Sequence, residues 1–84
     1  LLGGEEGRGF AQLMSDLPYE RALIGVIAAA TCEGAYQATL DYVRERRAFG
    51  QPVSELQNTK FELAEIATET TVLRAFIDRC IEDL

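Results

Sequence analysis

From Tyr19 to Arg47 nothing in the chain stops a helix, and this run of about thirty residues is what most limits the folds open to it. Only Gly25 and Gly34 interrupt a stretch dense in alanine, so the pattern predicts a helix about 45 Å long at the standard rise. Its first half, Ala22-Leu-Ile-Gly-Val-Ile-Ala-Ala-Ala, is apolar on every face. A helix with no polar side is one surrounded by other helices. Gly25 and Ala28 to Ala30 are small enough to let those neighbours come close.

The stop is as clear as the run. In Phe49-Gly50-Gln51-Pro52, Gly50 can turn left-handed and Pro52 prevents simple continuation. Ser54 then reads as the start of a second helix, with Ser54-x-x-Gln57 in the form of a capping box. Leu56, Leu63, Ile66, Leu73, Ile77, Cys80 and Leu84 follow at spacings of three, four and seven, a helical stripe that runs to the end of the chain. No β-type alternation appears. Before the long run, residues 1–9 hold four of the seven glycines and read as a loop. The spacing Gly4-x-x-Gly7-x-Gly9 resembles a phosphate-cradling turn only superficially, because no strand precedes it and no Lys-Ser or Lys-Thr follows. Phe10 to Met14 suggest a short helix ended by a turn at Asp16-Leu17-Pro18, with Asp16 capping the next helix and Pro18 in its first turn.

The expected architecture is therefore all-α, a long antiparallel helical hairpin. It has a loop at 1–9, helices over 10–47, a turn at 48–53 and a helix over 54–84. A hairpin is not a closed core, and one neighbour cannot cover the girdle at Leu23, Ile24, Val26 and Ile27. The missing cover must come from the rest of a larger subunit, from other copies, or from both. The start at Leu1-Leu2 without a methionine also reads as a fragment.

Composition excludes several classes of function. Fourteen acids against eight bases give a net charge of −6, the wrong sign for a nucleic-acid surface. With no histidine and only Cys32 and Cys80, there is no zinc set, and the two cysteines read as reduced packing residues of an intracellular protein. The run from Ala22 to Cys32 is too short to span a bilayer, and no basic-then-apolar signal segment opens the chain.

Some polar residues admit more than one role. Arg46, closing a helix before a Phe-Gly turn, could complement the helix dipole or hold an anion. Gln57 could complete the capping box or offer its amide elsewhere. Phe49 could staple the helix end. Glu20, in a first helical turn, could simply answer the dipole.

A wider pattern bears on these choices. Arg46, Phe49, Gly50, Val53, Gln57, Phe61, Leu63 and Ala64 fall on the places of the acyl-CoA dehydrogenase motif Arg-x-x-Phe-Gly-x-x-(apolar)-x-x-x-Gln-x-x-x-Phe-x-Leu-Ala. Gly9, Phe10, Met14 and Leu17 match that family's Gly-Phe-x-x-x-Met-x-x-Leu, with Arg21 following. Over nearly its whole length the chain resembles the helical C-terminal region of that family. Leu17-Pro-Tyr-Glu-Arg21 is similar to the Leu-Pro-x-Glu-Arg of its long-chain type, although long-chain members often carry an aromatic residue where this chain has Ala11.

The resemblance implies an FAD enzyme that oxidises an acyl-CoA substrate to the trans-2-enoyl-CoA, with an electron-transfer flavoprotein downstream. It implies Glu20 as the α-proton base; most members place that acid in a later loop. Pro18, Tyr19 and Arg21 would line the substrate pocket. Arg46 would reach the FAD pyrophosphate of a neighbouring subunit, with Phe49 and Gln57 also touching the cofactor. It further implies a homo-oligomer, usually a tetramer, in the bacterial cytoplasm or the mitochondrial matrix. An acyl-CoA oxidase, a nitroalkane-type oxidase, or a plain helical association module when isolated remain compatible with these residues.

Overall fold

The computed structural model describes residues 1–84 and is a single helical hairpin. Helix α1 runs Gly9–Glu45 and helix α2 runs Gln57–Glu82. Between them lie two-residue strands, β1 (Arg47–Ala48) and β2 (Gln51–Pro52), paired antiparallel, then a 3-10 turn at Val53–Glu55. Another 3-10 turn, Leu2–Gly4, precedes α1.

The seam between the helices follows a 3.5-residue repeat. On α1 the less exposed positions from Ala22 onward, Gly25 apart, are Ala22, Val26, Ala29, Glu33, Tyr36, Leu40 and Val43, spaced alternately four and three apart. At the N-cap of α2 and along it they include Leu56, Leu63, Thr70 and Ile77, each seven from the last. This is the spacing that keeps one stripe of each helix facing the other. Gly25 is part of it, because a Cβ there would stand 2.7 Å from Ile77 Cδ1. The close approach expected of Gly25 is thus made, and Ile77 is buried beneath it.

Charge pins the register midway. Arg74 donates from Nε to Glu33 Oε1 at 2.7 Å and from Nη2 to Glu33 Oε2 at 2.6 Å, a two-pronged fork across the seam. Those hydrogen bonds hold the Glu33 carboxyl below its ordinary range; partial burial opposes them, and the charge of Arg74 adds to them.

Three expectations are corrected. No turn divides the first helix at Asp16–Pro18: α1 is continuous through Pro18, and Asp16 lies inside it rather than at its cap. Pro18 removes one hydrogen bond to the Met14 carbonyl, but the position is exposed, and well-formed helix on both sides holds the ladder together. The helix ends at Glu45, not Arg47; Arg46 is already extended, with ψ 129°. The second helix begins at Gln57, not Ser54, because Ser54 is taken into the 3-10 turn. The capping box is not made, and Leu56 stands at the N-cap without a side-chain bond.

The whole of α1 is longer than the apolar run within it. Taken whole, α1 is long and apolar enough to cross a membrane by those two measures. Its partner, however, carries Lys60, Glu62, Glu65, Glu69, Arg74, Asp78, Arg79 and Glu82 along its length, and such a helix could not follow it into lipid. The apolarity of α1 answers to protein neighbours.

Those neighbours lie outside the hairpin. Only Ala29, Val43 and Ile77 are buried, and all four phenylalanines are more than 60% exposed. The radius of gyration is 20.5 Å, where a compact chain of this length would have about 12 Å. The accessible surface is 6645 Å², about a third more than a compact protein of this mass shows. Both helices carry a second apolar stripe opposite the seam: Leu13, Ile24, Ile27 and Tyr42 on α1, and Phe61, Val72 and Phe76 on α2.

Candidate functional site

The seven candidate residues fall into two groups at opposite ends of the hairpin. Pro18, Tyr19, Glu20 and Arg21 occupy one turn of α1, and all are exposed. Arg46, Phe49 and Gln57 lie in the connection and at the first residue of α2. Glu20 and Arg46 are separated by about 39 Å along the helix axis. None of the seven lines the largest surface groove, about 500 Å³ between Cys32, Ala35, Tyr36 and Thr39 of α1 and Ile66, Glu69, Thr70 and Leu73 of α2.

Glu20 has a definite setting. At 3.6 residues per turn it shares a face with Leu13, Asp16, Leu17, Ile24, Ile27 and Thr31. This is the outer stripe of α1, and from Leu17 to Ala38 Glu20 is its one ionisable group. Ile24 and Ile27 are 66% and 64% exposed, so whatever covers them also encloses the carboxylate. Because α1 is continuous, Glu20 lies in its interior and not in a first turn, which removes the dipole explanation for an acid at this place. Arg21, the next residue, is turned about 100° away and forms no ion pair with Glu20. The two share a turn but not a contact.

The other end is shaped by its backbone. Arg46 is fixed on both sides: its N–H donates to the Tyr42 carbonyl at 2.9 Å, and its carbonyl accepts from Val53 N at 2.7 Å. Its guanidinium is exposed and free of ion pairs. Beyond it, Ala48 faces Gln51 across a two-residue loop in which Phe49 and Gly50 have φ of 54° and 76°. Two successive positive φ values are the requirement of a type I′ hairpin turn. Gly50 suits its place at no steric expense. Phe49 does not: a bulky residue is rarely left-handed, and such strain is of the order of 1–3 kcal/mol. The Phe49 ring is 91% exposed, so no packing of the ring offsets that strain, and a staple role for it is not made. Gln57 is exposed and its amide has no side-chain bond, the capping box being absent.

A forked guanidinium, a free amide and an extruded aromatic ring therefore project from one end. Together they can bind two phosphate oxygens, a polar ring edge and a flat face. At the other end a carboxylate stands on an exposed, largely apolar strip.

Two features escaped the sequence reading. The Glu33–Arg74 fork was legible in principle, because both residues fall on seam rows of the 3.5-residue repeat. The left-handed Phe49 carried only a faint signal, Phe-Gly standing where a tight hairpin turn would ordinarily have Asn-Gly.

Residues 7–84 match the family model described as the C-terminal domain of acyl-CoA dehydrogenase. The mitochondrial long-chain specific acyl-CoA dehydrogenase of Rattus norvegicus is 46% identical over 79 residues, covering 94% of this chain and 18% of that protein. An acryloyl-CoA reductase (NADH) of Anaerotignum propionicum is 37% identical over 75 residues, covering 89% of this chain and 19% of that protein. The crystal structure of an acyl-CoA dehydrogenase from Geobacillus kaustophilus superposes with a TM-score of 0.92 at 46% identity, covering 95% of this chain and 21% of that one. The chain thus spans about a fifth of the length of the relatives it matches.

Proposed function

Since the chain belongs to the acyl-CoA dehydrogenase family, as part of its C-terminal domain, we propose that it contributes the base of an enzyme that oxidises a long-chain-type acyl-CoA to the trans-2-enoyl-CoA. The observation that carries this reading is the setting of Glu20, the one ionisable group from Leu17 to Ala38 on an uncovered apolar face. Enclosed by the rest of the subunit and by an acyl chain, that carboxylate stands in a water-poor pocket, the setting in which a positioned base removes an α-proton. Its Oε atoms take the α-proton of the thioester. Tyr19 and Pro18 shape the pocket wall, and Arg21 adds a positive charge one residue on.

FAD, when bound, supplies the acceptor for the β-hydride. The donors at the connection fit such a group: the Arg46 guanidinium is unpaired and forked for a pyrophosphate, the Gln57 amide is free, and the Phe49 ring stands out to meet a flat surface. The distance of about 39 Å between Glu20 and Arg46 is further than one dinucleotide can bridge between base and pyrophosphate. This supports donation of the Arg46 end to a neighbouring subunit's cofactor, in a homo-oligomer such as a tetramer. Electrons would pass on to an electron-transfer flavoprotein, in the mitochondrial matrix or the bacterial cytoplasm. The likeness to a reductase of an unsaturated acyl-CoA leaves the direction of the reaction to parts of the enzyme outside this hairpin.

Stopped-flow measurement of flavin bleaching in the full-length enzyme tests the assignment. Glu20→Gln keeps shape and hydrogen bonding but removes the basic oxygen, and the reduction rate should fall by about a hundredfold to ten-thousandfold. A near wild-type rate would move the base to the later loop and end the case for the long-chain type.

A further inference from the structure

The strain at Phe49 needs something to hold it, and one side chain does so. Arg47 donates from Nη2 to the Gly50 carbonyl at 3.0 Å, spanning the left-handed pair from outside. Arg47 is also the cross-strand neighbour of Pro52, while the backbone bond from Val53 N to Arg46 O closes the next rung. The turn is therefore tied at its base by backbone and at its tip by Arg47. Asn, Asp or Gly at the first left-handed place would need no such tie, because each adopts that conformation readily. Phe49 does need it.

We propose that Arg47 is a positioning residue, whose bond to the Gly50 carbonyl keeps the Phe49–Gly50 turn left-handed and so aims the Phe49 ring at the cofactor. The inference rests on the reading of the Arg46 end as a flavin-binding surface. Arg47 and Arg46 then divide the work: Arg46 touches the ligand, and Arg47 acts on it only through Phe49. With the bond gone, the Phe49 peptide relaxes toward negative φ, the turn type changes, and the ring swings from its place. The adjacent Arg46 backbone is held by its own two bonds and does not follow.

The test is a set of flavin-binding titrations on the full-length enzyme, stripped of cofactor and reloaded with FAD. Arg47→Gln should raise the flavin dissociation constant by about threefold to tenfold, the worth of one exposed hydrogen bond. Arg47→Lys, which keeps a donor within reach of the Gly50 carbonyl, should restore most of the affinity. In a Phe49→Asn background, where the turn holds itself and the ring is gone, Arg47→Gln should have no further effect. An equal loss in both backgrounds would mean that Arg47 meets the phosphate directly, and it would overturn the inference. So would a Gln variant that binds flavin like wild type. Arg46→Ala keeps the two failures apart. If it too leaves flavin affinity unchanged, the cofactor reading itself is wrong; if it weakens binding while Arg47→Gln does not, only the positioning role falls.

Discussion

The two ends of the hairpin hold their candidate groups by different means. At the Glu20 end the carboxylate stands on unbroken helix, and its place follows from periodicity: every 3.6 residues the outer face returns, and Glu20 falls on it with Leu13, Ile24 and Ile27. At the Arg46 end the helix has stopped. The side chains there are aimed by a strained two-residue turn with positive φ at Phe49 and Gly50, and by the short bonds at Arg46 and Val53. The difference teaches where each end is vulnerable. The first depends on what covers it, and the second on its own backbone.

The comparison breaks most sharply if the two ends are altered in turn. Glu20→Gln should abolish most of the flavin reduction rate, by the two to four orders of magnitude a positioned base commonly supplies, while FAD stays bound. Arg46→Ala should give the opposite signature. Loss of a charge-assisted contact removes about 1.5–3 kcal/mol of cofactor affinity, with helicity by circular dichroism nearly intact. FAD content after gel filtration and bleaching rate per bound flavin separate the two. If Arg46→Ala slowed the chemistry but kept the flavin, the division between the ends would fail.

The dependence on cover can be sharpened with the chain alone. A surface about a third larger than a compact protein's cannot persist in water as a lone hairpin. Sedimentation of the isolated 84-residue chain should show self-association that rises with concentration. A folded, concentration-independent 9.3 kDa species would show that the outer stripes need no partner.

A smaller effect concerns the seam that joins the ends. The Glu33 carboxyl is held below its ordinary value near 4.5, chiefly by hydrogen bonds from Arg74. A depressed carboxylate contributes stability above its unfolded pKa and loses it as pH falls through the lower, folded value. Thermal midpoints of the full-length protein and its Glu33→Gln variant should therefore differ near neutrality, and the gap should begin to shrink near pH 4.5 and close only as pH falls through the lower, folded value. With both side chains about 40% exposed, the difference will be modest, since screened pairs contribute little. A gap that persists once the Glu33 carboxyl is fully protonated would mean that the fork matters for its shape and not its charge.

Much of this was open to a reading of the residues. The unbroken run after Pro18 could only be a long helix, the Phe49–Pro52 break could only reverse it, and the all-round apolar girdle at Leu23–Ile27 could only be a surface awaiting partners. These follow from local propensity and period, which the chain carries in itself. The motif residues were legible for the same reason, as fixed offsets along one strand of sequence.

What the sequence could not decide was how local signals compete. Asp16 before Pro18 is a good cap in isolation, yet α1 runs through both, because helix on either side outweighs one missing bond. Ser54-x-x-Gln57 is a good capping box, yet the reversal at Phe49–Pro52 draws Ser54 into a 3-10 turn and frees Gln57. Nor does a sequence state distance. That Glu20 and Arg46 stand at opposite ends, and that Arg74 reaches across to Glu33, depends on how two helices set their register against each other. That register is fixed by Gly25 under Ile77 and by the fork beside it, contacts 52 and 41 residues apart that only exist once the chain has folded back on itself.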